Sequence, residues 1–573
     1  MLLGMMVISA LAEVVSVGAV LPFLSVLISP DQVFEYAAVR RLAGALGIST
    51  ANDLAPVLTM AFVAVAIVAG AFRMFVLWLN TRLSFAIGKD LSIDCFRRTL
   101  YQPYHVHVSR NSSAVISGNV NKTSTVAVSV LFPLMMLLSQ GLMLLAVVTA
   151  LVAIDPVVAV ASASVFGIGY GLFSLFSRRR LQSNSVRISQ GLTEVLKSLQ
   201  ESLGSIRNIL IDGTQPYYCE VFQAADGSLR RAQGSNTFIS ASPRFVMEAL
   251  GMTALAVLAF ALSRRAGGIG QALPVLGALA LGAQRLIPAM QQCFASWSSM
   301  VGNRAALVDT LALLDQPIAP RALEPPPPPL PFGREIRFDG VRFRYHADGP
   351  WVLDGLSFTI PKGARVGFVG PTGSGKTTVL DLMMGLLEPT EGQILVDGEP
   401  ITGDQLRAWQ RNIAHVPQTV YLADSTIAEN IALGQPAELI DRARVAEVIT
   451  MAQIADFVDA NPLGPDAMVG ERGGRLSGGQ RQRIGIARAL YRRGTVLVFD
   501  EATSALDSVT EQAVMDAIEN LNRDLTVLLI AHRLTTVRTC DLILELADGR
   551  VKASGSYENL VKNSHTFRAM ADA

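Results

Sequence analysis

A bundle of membrane-spanning α-helices fused to an α/β domain built on a phosphate-binding loop is the fold class predicted, on three observations. Half of the 573 residues are hydrophobic and only 17% are charged, with a mean hydropathy of +0.39, which is too apolar for a water-soluble chain of this size. The apolar residues crowd into the first half, where runs of about 20 recur, the length a helix needs to cross a hydrocarbon core of ~30 Å. Further on, Gly370-Pro-Thr-Gly-Ser-Gly-Lys-Thr377 follows an apolar strand and opens a helical run.

Six spans are expected, at Met1–Leu27, Leu54–Leu79, Val126–Ile154, Pro156–Phe176, Phe245–Leu262 and Gln271–Ala289. The first is too long for the apolar core of a cleaved leader and lacks its basic start. Because a cytoplasmic start would normally carry such charge, the natural beginning is expected upstream of Met1. Asp155-Pro156 joins the third and fourth spans as a tight hairpin. Residues 80–124 carry six basic residues and 177–243 carry eight, against two each in 28–53 and 263–270, so the two long loops face the cytoplasm. Arg264 and Arg265 stand as exceptions on the outer side. The long loops read as helical arms, and residues 30–49 as a short amphipathic helix on the outer surface or, equally, an ordinary packed loop helix. The bilayer is therefore one partner. Nucleic acid is not, since 48 basic and 47 acidic residues give no basic field. Cys95, Cys219, Cys293 and Cys540 stand too far apart for a zinc or disulfide framework.

Composition divides the chain into a membrane domain over 1–320, a proline-rich linker over 321–333 and a nucleotide-binding domain over 334–573. Glu324 and the five prolines after it favour an extended, stiff spacer. In the phosphate loop, Gly370, Pro371, Thr372, Gly373, Ser374 and Gly375 let backbone N–H groups turn inward around phosphates, and the helix opened by Thr377 and Thr378 adds positive potential. Lys376 is placed to reach the β- and γ-phosphates, and Thr377 to offer a hydroxyl to Mg²⁺. A second apolar strand, Thr495–Phe499, delivers Asp500 to the Mg²⁺ and Glu501 to the side of the γ-phosphate, where a carboxylate can polarise water. Leu476-Ser-Gly-Gly-Gln480 forms another anion site at a helix start, yet one nucleotide cannot fill both loops of one small domain.

These stretches, in the order Tyr345, phosphate loop, Gln418, Ser477-Gly478-Gly479-Gln480, Asp500-Glu501, Ser504-Ala-Leu-Asp507 and His532, resemble the ATP-binding-cassette transporters. The resemblance implies ATP and Mg²⁺ as cofactors, adenine stacking on Tyr345, and Gln418 contacting the metal and water. It implies that His532 holds the γ-phosphate and Glu501 in place, and that Ser477 faces a phosphate held by a second copy of the chain. Asp507 enters by its place in that order, and Gly470-Glu-Arg-Gly473 resembles a loop through which exporter subunits communicate. One ATPase domain after six spans then implies a homodimer with two shared sites. Coupling segments are expected at Tyr104–Asn111 and Gln215–Phe222.

Within the exporters, Leu11-Ala-Glu13, Leu21-Pro-Phe23, Gln102-Pro-Tyr104, Ser242-Pro-Arg-Phe245 with Glu248, and Arg285-Leu-Ile-Pro288 resemble bacterial lipid-linked oligosaccharide flippases. This implies a polyprenyl-pyrophosphate glycolipid as substrate and the bacterial cytoplasmic (inner) membrane as location, with the ATPase domain in the cytoplasm. Another exported lipid, a drug or a peptide is an alternative, as is an ATP-gated channel or non-transporting regulator. An uncompensated charge at membrane depth costs at least ~2.5 kcal/mol. Arg73, Arg244 and Arg285 are accordingly candidate headgroup contacts, with Glu–Arg pairing inside the bundle as the structural alternative.

Overall fold

The computed structural model describes residues 2–18, 51–154, 156–263, 286–501, 508–519, 524–531 and 534–571. It divides into two compact units, Met1–Gln102 with Ser109–Ile318, and Pro103–Val108 with Ala319–Ala573.

Among its described residues the first unit is helical apart from short bends. Its main elements are α1 (Leu2–Gly18), α2 (Ala51–Leu100), α3 (Phe132–Ile154), α4 (Pro156–Gly204), α5 (Gln215–Ser263) and α6 (Arg304–Leu314). Helices α2, α4 and α5 run for 50, 49 and 49 residues. At 1.5 Å per residue each is about 75 Å long, more than twice the hydrocarbon thickness, so the expected arms are unbroken continuations of the spans. Among the described residues, Thr59–Leu100 and Ser112–Ala150 are long and apolar enough to cross a membrane, and Leu2–Val15 is a shorter apolar helix. The fourth and fifth expected spans occupy the start of α4 and the end of α5. The outer helix over 30–49, most of the sixth span, and Arg264 and Arg265 lie outside the described residues.

The first arm reverses through Tyr101–Pro103 and the short helix Tyr104–Ser109, where a coupling segment is expected. The second reverses earlier than expected. A short helix, Ile206–Asp212, ends at Gly213, whose φ of +65° is the left-handed stop that glycine adopts without steric cost. Gln215–Phe222 forms the first turns of α5 instead of the bend itself. Between the first bend and α3, Ser117–Lys122 and Ala127–Leu131 are π-helical, a widening of the helix common at functional sites. There Lys122 Nζ lies 2.7 Å from the Asp309 carboxylate of α6, which also accepts the Ser189 hydroxyl of α4.

Among its described residues the second unit holds ten strands: β1 (Glu335–Phe343), β2 (Leu353–Pro361), β3 (Arg365–Val369), β4 (Glu391–Val396), β5 (Glu399–Pro400), β6 (Ile413–Val416), β7 (Val496–Asp500), β8 (Thr526–Ile530), β9 (Leu542–Ala547) and β10 (Arg550–Gly555). One sheet is antiparallel in the order β2-β1-β4-β5, and the other runs β10-β9-β3-β8-β7-β6. Strands β6, β7, β8, β3 and β9 of the second are mutually parallel. Their continuous apolar sequences are buried on both faces, as parallel strands require. With only β8 between β3 and β7, the loops leaving β3 and β7 emerge at the same carboxyl edge, where open α/β sheets bind ligands. Helices α7 (Lys376–Met383), α8 (Gly478–Tyr491) and α9 (Ser508–Glu519) accompany this sheet.

The proline-rich stretch is strapped onto this unit. Arg407 donates to the carbonyls of Arg321 and Glu324, Arg321 pairs with Asp404, and Asn412 Nδ2 donates to Leu330 O at 2.7 Å. Phe332 meets the fully buried Trp409 edge-on at 5.7 Å. A chain with few N–H donors of its own is thus held through its carbonyls.

Asp381, on α7, has its carboxyl pushed up to about 6, first by burial and then by the neighbouring Asp500. The folded state therefore binds a proton that the unfolded chain releases near its ordinary value, and stability falls as pH rises through about 4 to about 6. We expect Asp381→Asn to be more stabilising relative to wild type at about pH 7.5 than at about pH 5. Thermal unfolding of the full chain in Mg²⁺-free buffer at both pH values is the measurement, and an equal difference at both would contradict the assigned titration.

Candidate ATP site

The phosphate loop is shaped by what surrounds its backbone. Gly370, Gly373 and Gly375 have φ values of +144°, +83° and +97°. A Cβ on Gly370 would come within 2.1 Å of the Leu546 carbonyl, and one on Gly375 within 2.6 Å of the Leu353 side chain, so both positions exclude any side chain. Ser374 is buried at 3% exposure and its hydroxyl has no hydrogen-bond partner, so a polar group inside the cradle is left for an incoming oxygen. Lys376 Nζ donates to Gly370 O at 2.9 Å and Pro371 O at 3.0 Å, folding the ammonium back over the loop. Burial lowers its pKa, while Glu501 and Asp500 act in the opposite direction. Thr377 is exposed at the head of α7, whereas Thr378 is buried and its hydroxyl lies 3.3 Å from Tyr345 Oη. The Tyr345 ring is half exposed and braced edge-on by Phe343 at 5.0 Å.

At the end of β7 the two carboxylates diverge. Asp500 is partly buried, and its carboxyl is raised by burial first and by Glu501 second. Glu501 has a φ of +52°, a left-handed backbone that a glutamate adopts only where its surroundings impose it. Gln418 Nε2 donates to Glu501 Oε2 at 2.5 Å. The structure thus gathers Lys376, Asp500, Glu501 and Gln418 at the sheet edge. The donor atoms offered by Thr377, Asp500 and Gln418 are all oxygens, the ligand type of a hard cation, and the single carboxylate suits an ion that keeps several waters, as Mg²⁺ does.

Ser477 stands apart from this group. Its hydroxyl accepts from Gln480 N at 3.2 Å and its own N–H donates to Gln480 Oε1 at 2.8 Å, a capping box that leaves the N–H groups of Gly478 and Gly479 at the start of the 14-residue α8. These side-chain bonds stay within one turn. His532, Asp507 and Arg285 lie outside the described residues. Arg73 and Arg244 are paired with acids, Arg73 with Glu13 at 3.2 Å and Arg244 with Glu248 at 2.7 Å.

Two features were missed in the sequence. Asn80 is 1% exposed and neither atom of its amide has a hydrogen-bond partner. It lines a cavity of about 340 Å³ with Arg73, Ser9, Ser139 and Gln140, walled by methionines such as Met74 and Met136. Its signal was available: a polar residue seven positions after Arg73 in an apolar helix lies on the same face. The strain at Glu501 had no sequence signal, because non-glycine residues carry no mark of a positive φ.

With the geometry in place, the comparisons are specific. The ABC transporter ATPase model matches residues 353–504, and the ABC transporter transmembrane region model matches 15–276. A Cupriavidus metallidurans protein named ATP-dependent lipid A-core flippase is 32% identical over 517 residues, covering 89% of this chain and 85% of that one. A Chromohalobacter salexigens protein of the same name is 33% identical over 400 residues, 70% of this chain and 68% of its own. A third of that name, from Burkholderia orbicola, is 45% identical over 233 residues, which is 41% of this chain and 39% of that relative's length. A solved structure titled as a bacterial Atm1-family ABC exporter with ATP bound superposes with a TM-score of 0.78 at 25% identity, over 97% of both chains. The fused order of membrane region and ATPase, the nucleotide cradle and the full-length relatives agree: this chain belongs to the ABC transporters, as an exporter-type half-transporter embedded in a membrane whose cytoplasmic ATPase domain binds and hydrolyses ATP to drive transport.

Proposed function

We propose that two copies of the chain form a homodimer in the bacterial inner membrane and flip a phosphate-bearing glycolipid between leaflets. The observation that carries this reading is the lipid-flippase name shared by relatives aligned over most of their length. Lipid-linked oligosaccharide is the substrate suggested by the short membrane stretches, and lipid A-core the one suggested by those names. Both are amphipathic, with an anionic sugar-bearing head. The cavity beside Arg73 supports such a head: Arg73 offers a charge-assisted donor, Asn80 and Gln140 offer amides to sugar hydroxyls, and thioether walls adapt to irregular shapes. Arg73 is already neutralised by Glu13, so the site favours a head that carries hydroxyls besides its phosphates. Arg244, exposed and paired with Glu248, and Arg285 complete the proposed headgroup path.

At each ATP site, Tyr345 would stack on adenine, and the N–H groups of the loop 370–375 would bind the β- and γ-phosphates together with Lys376, which exchanges its carbonyl partners for phosphate oxygens. Thr377, Asp500 and Gln418 would hold Mg²⁺, which supplies charge neutralisation between the β- and γ-phosphates. Glu501 would accept a proton from the attacking water, with Gln418 fixing one carboxylate oxygen and His532 the other side. Asp507 and Ser477–Gln480 would close the site from the facing copy, since the α8 start has helix-dipole potential suited to a phosphate.

Glu501→Gln keeps the phosphate contacts but loses the proton acceptor, so it should retain two ATP per dimer and hydrolyse them at least about 10²-fold more slowly. Turnover near wild type would remove Glu501 from the mechanism. Mixing Lys376→Ala with Ser477→Ala subunits should restore ATP retention at one composite site, whereas mixtures that retain no more ATP than either homodimer would exclude sharing between copies. For cargo, proteoliposomes containing fluorescent lipid-linked oligosaccharide or lipid A-core would report ATP-dependent flipping. Arg73→Leu and Asn80→Leu should reduce flipping about tenfold with ATPase activity retained; unchanged flipping of both lipids rejects the cavity as a headgroup site, and no flipping by wild type rejects the glycolipid assignment.

A further inference from the structure

A second cavity lies on the membrane unit, away from Arg73. It has a volume of about 390 Å³ and is lined by Leu172, Phe173, Phe176 and Arg180 of α4 and by Val246 and Leu250 of α5. The α4 residues recur at helical spacing, so they form one stripe. The groove reaches from Gly169 to Arg180 along α4, 11 residues or about 16 Å of helix, which equals half of a ~30 Å hydrocarbon core. Its inner wall is solid: Met247 is buried and belongs, with Phe166, Tyr170 and Phe294, to an aromatic cluster against which Phe173 packs. Its outer rim is open, with Phe176 at 82% exposure.

Polarity is confined to one end. Arg180 closes the groove where α4 leaves its apolar stretch, while Arg178 and Arg179 lie on other faces of the same turn, all three exposed. No carboxylate among the described residues pairs with any of them, whereas Arg73, Arg98 and Arg244 do pair. The charge asymmetry of the loops puts this end at the cytoplasmic face. An apolar slot about 16 Å long with an exposed, unpaired guanidinium at one end is complementary to an anionic lipid.

We propose that the α4–α5 groove is a binding site for an anionic phospholipid of the cytoplasmic leaflet, with one acyl chain along the slot and the headgroup phosphate on Arg180. Guanidinium groups bind phosphate oxygens bidentately, while the aromatic floor and aliphatic rim take the chain.

The test uses the full chain carrying Leu172→Trp, reconstituted in nanodiscs of phosphatidylcholine with either brominated phosphatidylcholine or brominated phosphatidylglycerol as quencher, and the unsubstituted chain as background. Tryptophan in the groove should be quenched preferentially by the brominated phosphatidylglycerol. Each arginine near an anionic lipid adds roughly fivefold to its partition, so adding Arg180→Gln should cut the preference about fivefold and Arg180→Lys should largely restore it. Equal quenching by the two lipids with all arginines intact overturns the proposal. So does a preference that Arg180→Gln and the combined Arg178→Gln, Arg179→Gln, Arg180→Gln protein both leave unchanged. None of these readouts involves transport, so their failure leaves the glycolipid assignment standing, and its failure leaves them informative.

Discussion

A phosphate can be held by backbone N–H groups only if the chain comes close enough for every donor to point inward, and that approach is the constraint on which the ATPase unit depends. It explains why β3 is central, with β8 and β9 on either side to fix its end. It explains why the Leu546 carbonyl and the Leu353 side chain press on the loop at Gly370 and Gly375. Those neighbours come from β9 and β2, one from each sheet, so both sheets must be assembled before the cradle has its shape. The same arrangement brings β7 alongside and delivers Asp500 and Glu501 to the loop's open side.

In the membrane unit the governing cost is different. Backbone groups are satisfied within long helices, and what remains is the placement of side-chain charge in a medium that penalises it. Glu13 is 1% exposed and lies against Arg73; Lys122, Asp309 and Ser189 tie three segments together. Such pairs fix the register of neighbouring helices more than they add stability, since in each one partner, Glu13 or Lys122, gives up most of its contact with water.

The sequence made the architecture legible because its strongest signals are local. A phosphate loop between strand and helix, an Asp-Glu at a strand end and a Ser-Gly-Gly-Gln at a helix start announce themselves by spacing, and each lies where the spacing placed it. What was not legible is long-range. That Gln418 hydrogen-bonds Glu501 across 83 positions, or that Arg407 reaches back to Arg321 and Glu324, follows from the packing of elements and not from any window of residues. The second arm's bend was readable in Asp212-Gly213-Thr214 but was assigned to the segment after it. For Arg73 and Arg244, where headgroup contact and Glu–Arg pairing are both open on the sequence, the structure shows the pairing, with Glu13 distant along the chain and Glu248 one helical turn away.

The left-handed backbone at Glu501 carries an implication for how the site could be lost. A non-glycine residue in that conformation costs about 1–3 kcal/mol, a cost that glycine would remove. Truncation to glycine would therefore make the fold more stable while abolishing the carboxylate, and asparagine would lie between. Were selection for turnover relaxed, thermodynamics alone would favour erosion at this position, so the carboxylate is a place where function is maintained against the fold's own preference.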